Sequence, residues 1–255
     1  MLDERQLSDI RYCGRVNGHT PRLFIFPHAG GSAQDYVPFA NAFSSDIKRL
    51  AVQYPGRGGN HDLASFKSIP HLAERVCEML SPLDQSDGRV AFFGHSMGSL
   101  VAFDVARRLE AAGNPISALF VSACGAPGRI GYEDIPGSDR GLLNAVSEMT
   151  GADPQFLENE EFAAKILPTL RGLKAIADYD CPPEATLSCP IFAFLADNDE
   201  IATYQKVLPW SERTTAQFSA RVFAGHHFYL HDHLPELVND IQDKMLACCS
   251  CDQQK

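Results

Sequence analysis

Residues 89–113 read RVAFFGHSMGSLVAFDVARRLEAAG, and the fold follows from how this stretch is parsed. Its opening run, 89–93, is apolar and too short for a helix, so it reads as a strand buried on both faces. GHSMG, Gly94 to Gly98, is a tight turn. Beyond it Val101, Val105, Leu109 and Ala112 recur on one helical face, and Gly113 stands where a helix stops on a left-handed residue. Strand, sharp turn and helix in direct succession are the first half of a parallel β-α-β unit.

The same alternation extends outward. Short apolar runs at 22–27, 48–54, 118–123, 190–195 and 220–223 are separated by helical stretches. That pattern predicts an α/β fold, a mostly parallel sheet with helices on both faces. Segment 125–183 breaks the rhythm, with amphipathic pieces such as GLLNAVSEMT and EEFAAKILPTLRGLKAIADY and no convincing strand. An insert between two core strands lies naturally over the carboxyl edge of the sheet, where ligands bind, so a helical lid is expected there. A packing subdomain without gating is the plainer alternative. Residues 1–255 are read as one domain, since a chain of this length fills a single core.

Composition narrows the partners. A net charge of −10 disfavours a general electrostatic grip on nucleic acid or an anionic membrane. The first residues, MLDERQLSDIRYCGRVNG, carry no apolar signal core, and no run is long enough to span a bilayer, so a cytoplasmic location is expected. Eight cysteines without a dense framework read as free thiols, and the tail cysteines Cys248, Cys249 and Cys251 are assigned no role.

GHSMG fits the pattern G-x-S-x-G between a strand and a helix, the setting of a nucleophile elbow. The glycines let the chain turn at once, leaving the Ser96 hydroxyl at the strand end beside the helix N-terminus and the unpaired N–H of Met97. A serine needs a base and a carboxylate to orient it, and the chain order of such hydrolases is Ser, Asp or Glu, His. FAFLADNDEIAT places Asp197 and Asp199 after one strand; RVFAGHHFYL places His226 and His227 after the next. Spacing alone does not settle either pair. Asp199 lies further past the strand end and Asp197 suits an Asx-type turn bond, while Phe228-Tyr229-Leu230 would anchor His227 and leave His226 to solvent. His227 and His231 also share the i,i+4 spacing of metal ligands, but no H-E-x-x-H arrangement supports a metal and none is expected. His95 reads as a structural neighbour of the elbow.

Acyl transfer at Ser96 requires backbone donors for an oxyanion, one following the nucleophile and one in an early strand-to-helix loop. Within FPHAGGSAQDY, residues 26–36, PHAGG is that loop. Gly30 and Gly31 permit close approach of the backbone, and the N–H of Ala29 is the candidate second donor beside Met97, with His28 next.

FPHAGGSAQDYVPFA, VQYPGRG, FFGHSMGSLVAFDVARRLEAAG and GHHFYL together resemble, over nearly the whole chain, the stand-alone type II thioesterases of polyketide and nonribosomal peptide synthesis. IFPHAGG, RLAVQYPG, VSACGAPG, LSCPI and RVFAGHHFYLHDHLPELV resemble, within that family, thioesterases of mycobacterial polyketide-lipid assembly. The resemblance implies an α/β-hydrolase fold with a helical lid, and no cofactor of its own. It further implies hydrolysis of acyl thioesters on the phosphopantetheine arm of acyl or peptidyl carrier proteins, by way of an acyl-serine. By position it makes Ser96 the nucleophile, Asp199 the acid, His227 the base, and Ala29 and Met97 the oxyanion donors. Ala196 departs from it, standing where such proteins commonly carry glycine. Lid residues Ile166, Leu167, Leu170 and Leu173 either line an acyl channel or, the commoner outcome for such leucines, form the lid's own core; Arg129, Lys165, Arg171 and Lys174 are candidates for contact with a carrier, with plain solvated charges as the alternative. A carboxylesterase, a product-releasing thioesterase and a catalytically silent binding module are the alternatives.

Overall fold

A computed structural model of the chain describes residues 10–13, 20–54, 68–80, 90–130, 138–150, 161, 167 and 176–251. The strands are β1 (Ile10–Cys13), β2 (Arg22–Phe26), β3 (Lys48–Val52), β4 (Val90–His95), β5 (Ala118–Ser122), β6 (Ile191–Ala196) and β7 (Phe218–Phe223). They form one sheet in the order β1-β3-β2-β4-β5-β6-β7. Every pairing is parallel except β1 with β3. The mostly parallel sheet read from the sequence is therefore present; β1, at the antiparallel edge, was not anticipated.

The helices are α1 (Val37–Asn41), α2 (Ile69–Leu80), α3 (Met97–Ala111), α4 (Asp139–Thr150), α5 (Tyr204–Val207) and α6 (Leu234–Cys251). In β4 every residue is buried, as expected of a strand covered on both faces. In α2 Ile69, Leu72, Ala73, Val76 and Leu80 are buried, a stripe that packs on α3. At the end of α3, Gly113 at φ +84° closes a Schellman turn, its N–H donating to Glu110 O at 2.9 Å and that of Asn114 to Leu109 O at 2.9 Å. Ala112, expected on the buried face, is instead exposed, because α3 ends at Ala111 and Ala112 is its cap.

Chain direction in the sheet matters for the site. From β2 the chain moves one way to β3, and from β4 it moves the other way to β5, while β2 and β4 are neighbours. The crevice between their carboxyl ends is a topological switch point, the place where open parallel sheets bind ligands.

Of segment 125–183 the structure describes 125–130, 138–150, 161, 167 and 176–183, and the described part contains α4 and no strand. Ile166, Leu170, Leu173, Lys165, Arg171 and Lys174 lie outside the described residues. Leu167 is half-buried against the core, and Arg129 is exposed. Both stems of the segment are tied to the body. The buried Arg213 guanidinium donates to Pro182 O at 2.9 Å, Pro183 O at 3.4 Å and Pro127 O at 3.5 Å. Trp210 Nε1 donates to Cys124 O at 2.9 Å, and the Tyr179 hydroxyl donates to Asp104 on α3 at 3.2 Å. Asp104 is also bonded by Arg108 at 2.7 Å, so its burial is compensated. No helix among the described residues is long and apolar enough to cross a membrane.

Candidate active site

The strand β4 runs into α3 through Ser96 alone, which stands at φ 54° and ψ −126°. A side chain in that region costs about 1–3 kcal/mol and persists only where its surroundings over-determine it. They do so here. Ser96 N–H donates to Ser122 O at 2.7 Å, and the Ser99 hydroxyl donates to Gly94 O at 2.8 Å while accepting Ser122 N–H at 3.2 Å. The two motif glycines serve packing: a Cβ on Gly94 would lie 2.4 Å from Gly98 backbone atoms, and one on Gly98 would lie 2.0 Å from Phe26 O. Gly98 thus lets the start of α3 press against the end of β2.

Asp199, after β6, and His227, after β7, converge on this elbow. His227 Nε2 lies 3.0 Å from Ser96 Oγ, and His227 Nδ1 lies 2.8 Å from Asp199 Oδ2. The other carboxylate oxygen, Oδ1, accepts the N–H groups of Ile201 and Ala202, each at 3.0 Å. All three side chains are buried. Burial by itself would raise the Asp199 carboxyl, but the hydrogen bond and charge of His227 and the two amides outweigh it and hold the group below its usual 3.8. An ionised Asp199 accepts the Nδ1 proton, which leaves the Nε2 lone pair toward Ser96.

The neighbours of each pair are used otherwise. Asp197 is exposed, and its Oδ1 accepts Gly225 N–H and the Asn198 amide, each at 2.9 Å, which staples the turns after β6 and β7 together. His226 is exposed and lies 3.2 Å from Asn198 O. His233 reaches Ala224 O at 2.9 Å and His231 is exposed, its ring stacked on Phe228. Ala196 sits inside β6 without a positive φ, so alanine there costs no backbone strain.

The early loop packs beside Ser96. His28 to Gly31 form a turn closed by Gly31 N–H to His28 O at 3.0 Å, with Gly30 at φ +86°, the geometry of a type II turn that needs glycine at its third position. A Cβ on Gly31 would meet the His28 ring at 2.8 Å. Within the described residues no hydrogen bond takes up the N–H of Ala29 or of Met97. Motif reading missed the residues that brace this loop. The Tyr36 hydroxyl lies 2.9 Å from His28 Nδ1 and accepts His28 N–H at 3.3 Å, the Tyr54 hydroxyl donates to Pro27 O at 3.0 Å, and Gln53 accepts Ala33 N–H at 3.0 Å. Tyr36 and Tyr54 lie in the quoted segments FPHAGGSAQDY and VQYPGRG, yet only three dimensions reveal their partners. A cleft of about 210 Å³ adjoins the loop, lined by His28, Tyr36, Phe39, Leu230, His231 and Leu234 among others.

A parallel α/β sheet with a strained serine at the switch point, a buried histidine on its hydroxyl and a carboxylate behind the histidine define a serine hydrolase. The family described as Thioesterase domain matches residues 21–245. The chain is 52% identical over 250 residues to Thioesterase TesA of Mycobacterium leprae, covering 93% of this chain and 96% of that one. Among solved structures it is similar to the type II thioesterase BorB of the borrelidin biosynthetic cluster, with TM-score 0.78, 36% identity and coverage of 92% and 97%. YbtT, a type II thioesterase of the yersiniabactin NRPS/PKS pathway, aligns with TM-score 0.81 and 26% identity over 94% and 99% of the two chains. The chain belongs to the thioesterase family, in its type II branch, and is a hydrolase of thioesters with the α/β-hydrolase fold.

Proposed function

We propose that this thioesterase clears misprimed or stalled acyl groups from the phosphopantetheine arm of acyl or peptidyl carrier proteins of a polyketide or nonribosomal peptide synthase. The observation that carries the reading is the hydrogen-bonded series Asp199, His227, Ser96, at 2.8 and 3.0 Å, in a chain so similar to type II thioesterases of such pathways. In this reading residues 1–255 are one unit acting in the cytoplasm, with 125–183 as its lid and Leu167 on the acyl side. No group beyond the carrier's own arm is required.

The chemistry proceeds in two halves. His227 Nε2 takes the proton of Ser96 as Oγ attacks the thioester carbonyl carbon, and the N–H groups of Ala29 and Met97 meet the oxyanion. The C–S bond then breaks, the sulfur takes the proton from His227, and the acyl group remains on Ser96 as an ester. Water gives its proton to His227 and attacks that ester; the second oxyanion collapses, and Ser96 Oγ recovers the proton as the acid leaves. Asp199 stays ionised throughout and stabilises the imidazolium that forms twice.

Intact-mass spectrometry of an acylated carrier protein, incubated with wild type and with Ser96→Ala, tests this. Loss of the acyl mass with wild type alone is the expected result. Equal loss with both proteins, or retention with both while oxygen esters of the same chain length are hydrolysed, overturns it.

A further inference from the structure

Beneath the site runs a second, fully buried polar chain that the chemistry above does not use. His95 Nδ1 lies 2.9 Å from Ser122 Oγ, and Ser122 Oγ lies 2.7 Å from the Tyr229 hydroxyl. The three residues are 0%, 0% and 1% exposed. His95 immediately precedes Ser96, and Tyr229 follows His227 by two residues. The chain therefore joins the elbow, the end of β5 and the histidine loop, and closes a ring with the Ser96–His227 hydrogen bond.

We propose that Tyr229, Ser122 and His95 form a positioning relay that holds the His227 loop in register with the Ser96 elbow. The inference rests on the roles proposed above for Ser96 and His227. Proton directions follow from counting donors. With Tyr229 donating to Ser122 and Ser122 donating to His95 Nδ1, only the Nε2 proton of His95 is left over, and that atom has no partner among the described residues. With every proton reversed, both the tyrosine proton and the Nε2 lone pair would be orphaned, so the first arrangement is preferred. Burial, then the neighbouring His227, pushes the His95 pKa well below its usual value, and burial raises that of the Tyr229 phenol, so both groups keep the neutral forms the relay needs.

The relay serves a mechanical need of the reaction. His227 must serve the serine oxygen, then the leaving sulfur, then water, so its ring pivots while its backbone must stay. Apolar packing alone holds a loop less specifically than directional bonds satisfied in a low dielectric. The rings of His95 and His227 lie 5.4 Å apart between centroids, so a shift of one is felt by the other.

The test uses Tyr229→Phe, Ser122→Ala and the double variant, with acyl-N-acetylcysteamine as substrate and active serines counted by a fluorophosphonate. Each single variant should lower kcat per active site by about tenfold to a hundredfold, as sub-ångström to ångström misplacement does, with KM nearly unchanged. The double variant should be no slower than the worse single one, because a chain cut once is already cut. His95→Phe, which keeps a ring and removes Nδ1, replaces Ser122→Ala in the cycle if that variant does not fold. Singles with wild-type kcat and only a lowered Tm, or losses that multiply in the double variant, would overturn the relay. The readings separate cleanly: failure of the carrier assay leaves Ser96 without its role, whereas failure here leaves an active enzyme with an ordinary buried polar cluster.

Discussion

Gly98→Ala tests how the two halves of the proposed oxyanion site are held together. Its added Cβ would fall 2.0 Å from Phe26 O and 2.7 Å from Pro27 O, both backbone atoms, where real Cβ atoms come no closer than 3.0 Å. The start of α3 and the end of β2 must therefore separate by about 1 Å, and Met97 directly precedes Gly98 while Ala29 follows Pro27 by two residues, so the spacing of the two amides changes with that contact. A displacement of that size at a reacting centre costs about a hundredfold in rate, and loss of one oxyanion donor about a hundredfold to a thousandfold. The strain itself should cost about 1–3 kcal/mol, or a Tm drop of about 2–12 °C in a chain of this size. Gly113→Ala, in the turn just past the far end of the same helix, is the control: its Cβ meets nothing within 4 Å, and only the positive φ of +84° penalises it. It should lose about 1 kcal/mol and keep its kcat. Thioester hydrolysis per fluorophosphonate-reactive serine, with thermal unfolding alongside, reads both variants. A Gly98→Ala enzyme with wild-type kcat would refute the argument that this contact sets the oxyanion geometry.

Asp199→Asn should lower kcat by about ten-thousandfold with little change in KM, because the amide no longer holds the imidazole in the productive tautomer. The same variant reads out linkage. The Asp199 carboxyl is held below 3.8 in the fold, so its contribution to stability is complete above that value and disappears as pH falls through the depressed one. The Tm advantage of wild type over Asp199→Asn should thus be level at neutral pH and shrink only below pH 3.8; an advantage that fades near pH 6 instead would assign it to another group. Arg213→Met should leave the carbonyls of Pro127, Pro182 and Pro183 short of a buried donor, at about 1–3 kcal/mol for each one not rescued by water. A Tm unchanged by that substitution would show that Arg213 does not tie the stems.

The parts of this molecule that read from the sequence are those whose cause is local. Strand β4, the glycine turn and α3 announce themselves through apolar runs, glycine and a 3.6-residue stripe, and each falls within two residues of its expected bounds. β1 escaped because a four-residue edge strand paired on one side carries little hydrophobic signal. Spacing offered two acids and two histidines but could not choose between them, since what separates Asp199 from Asp197 is a bond to a histidine 28 residues away. The bracing by Tyr36, Tyr54 and Ser122 was illegible for the same reason. A hydroxyl's partner across the fold leaves no periodicity behind.

The distribution of polar contacts explains how a strained serine survives at the sheet's carboxyl edge. Ser96 is held by Ser122 O, the loop from Pro27 to Ala33 by Tyr36, Tyr54 and Gln53, and Asp199 by the amides of Ile201 and Ala202. Each of the three is thus positioned by a different set of residues, and Ser122 contributes both its carbonyl and its hydroxyl. With its carbonyl it fixes the Ser96 backbone; with its hydroxyl it reaches Tyr229, two residues beyond His227. Deleting that hydroxyl in Ser122→Ala leaves the carbonyl bond in place, so the elbow's strain remains supported while the tie to the base is cut. The backbone cost of the elbow and the placement of His227 are therefore separable by one oxygen atom.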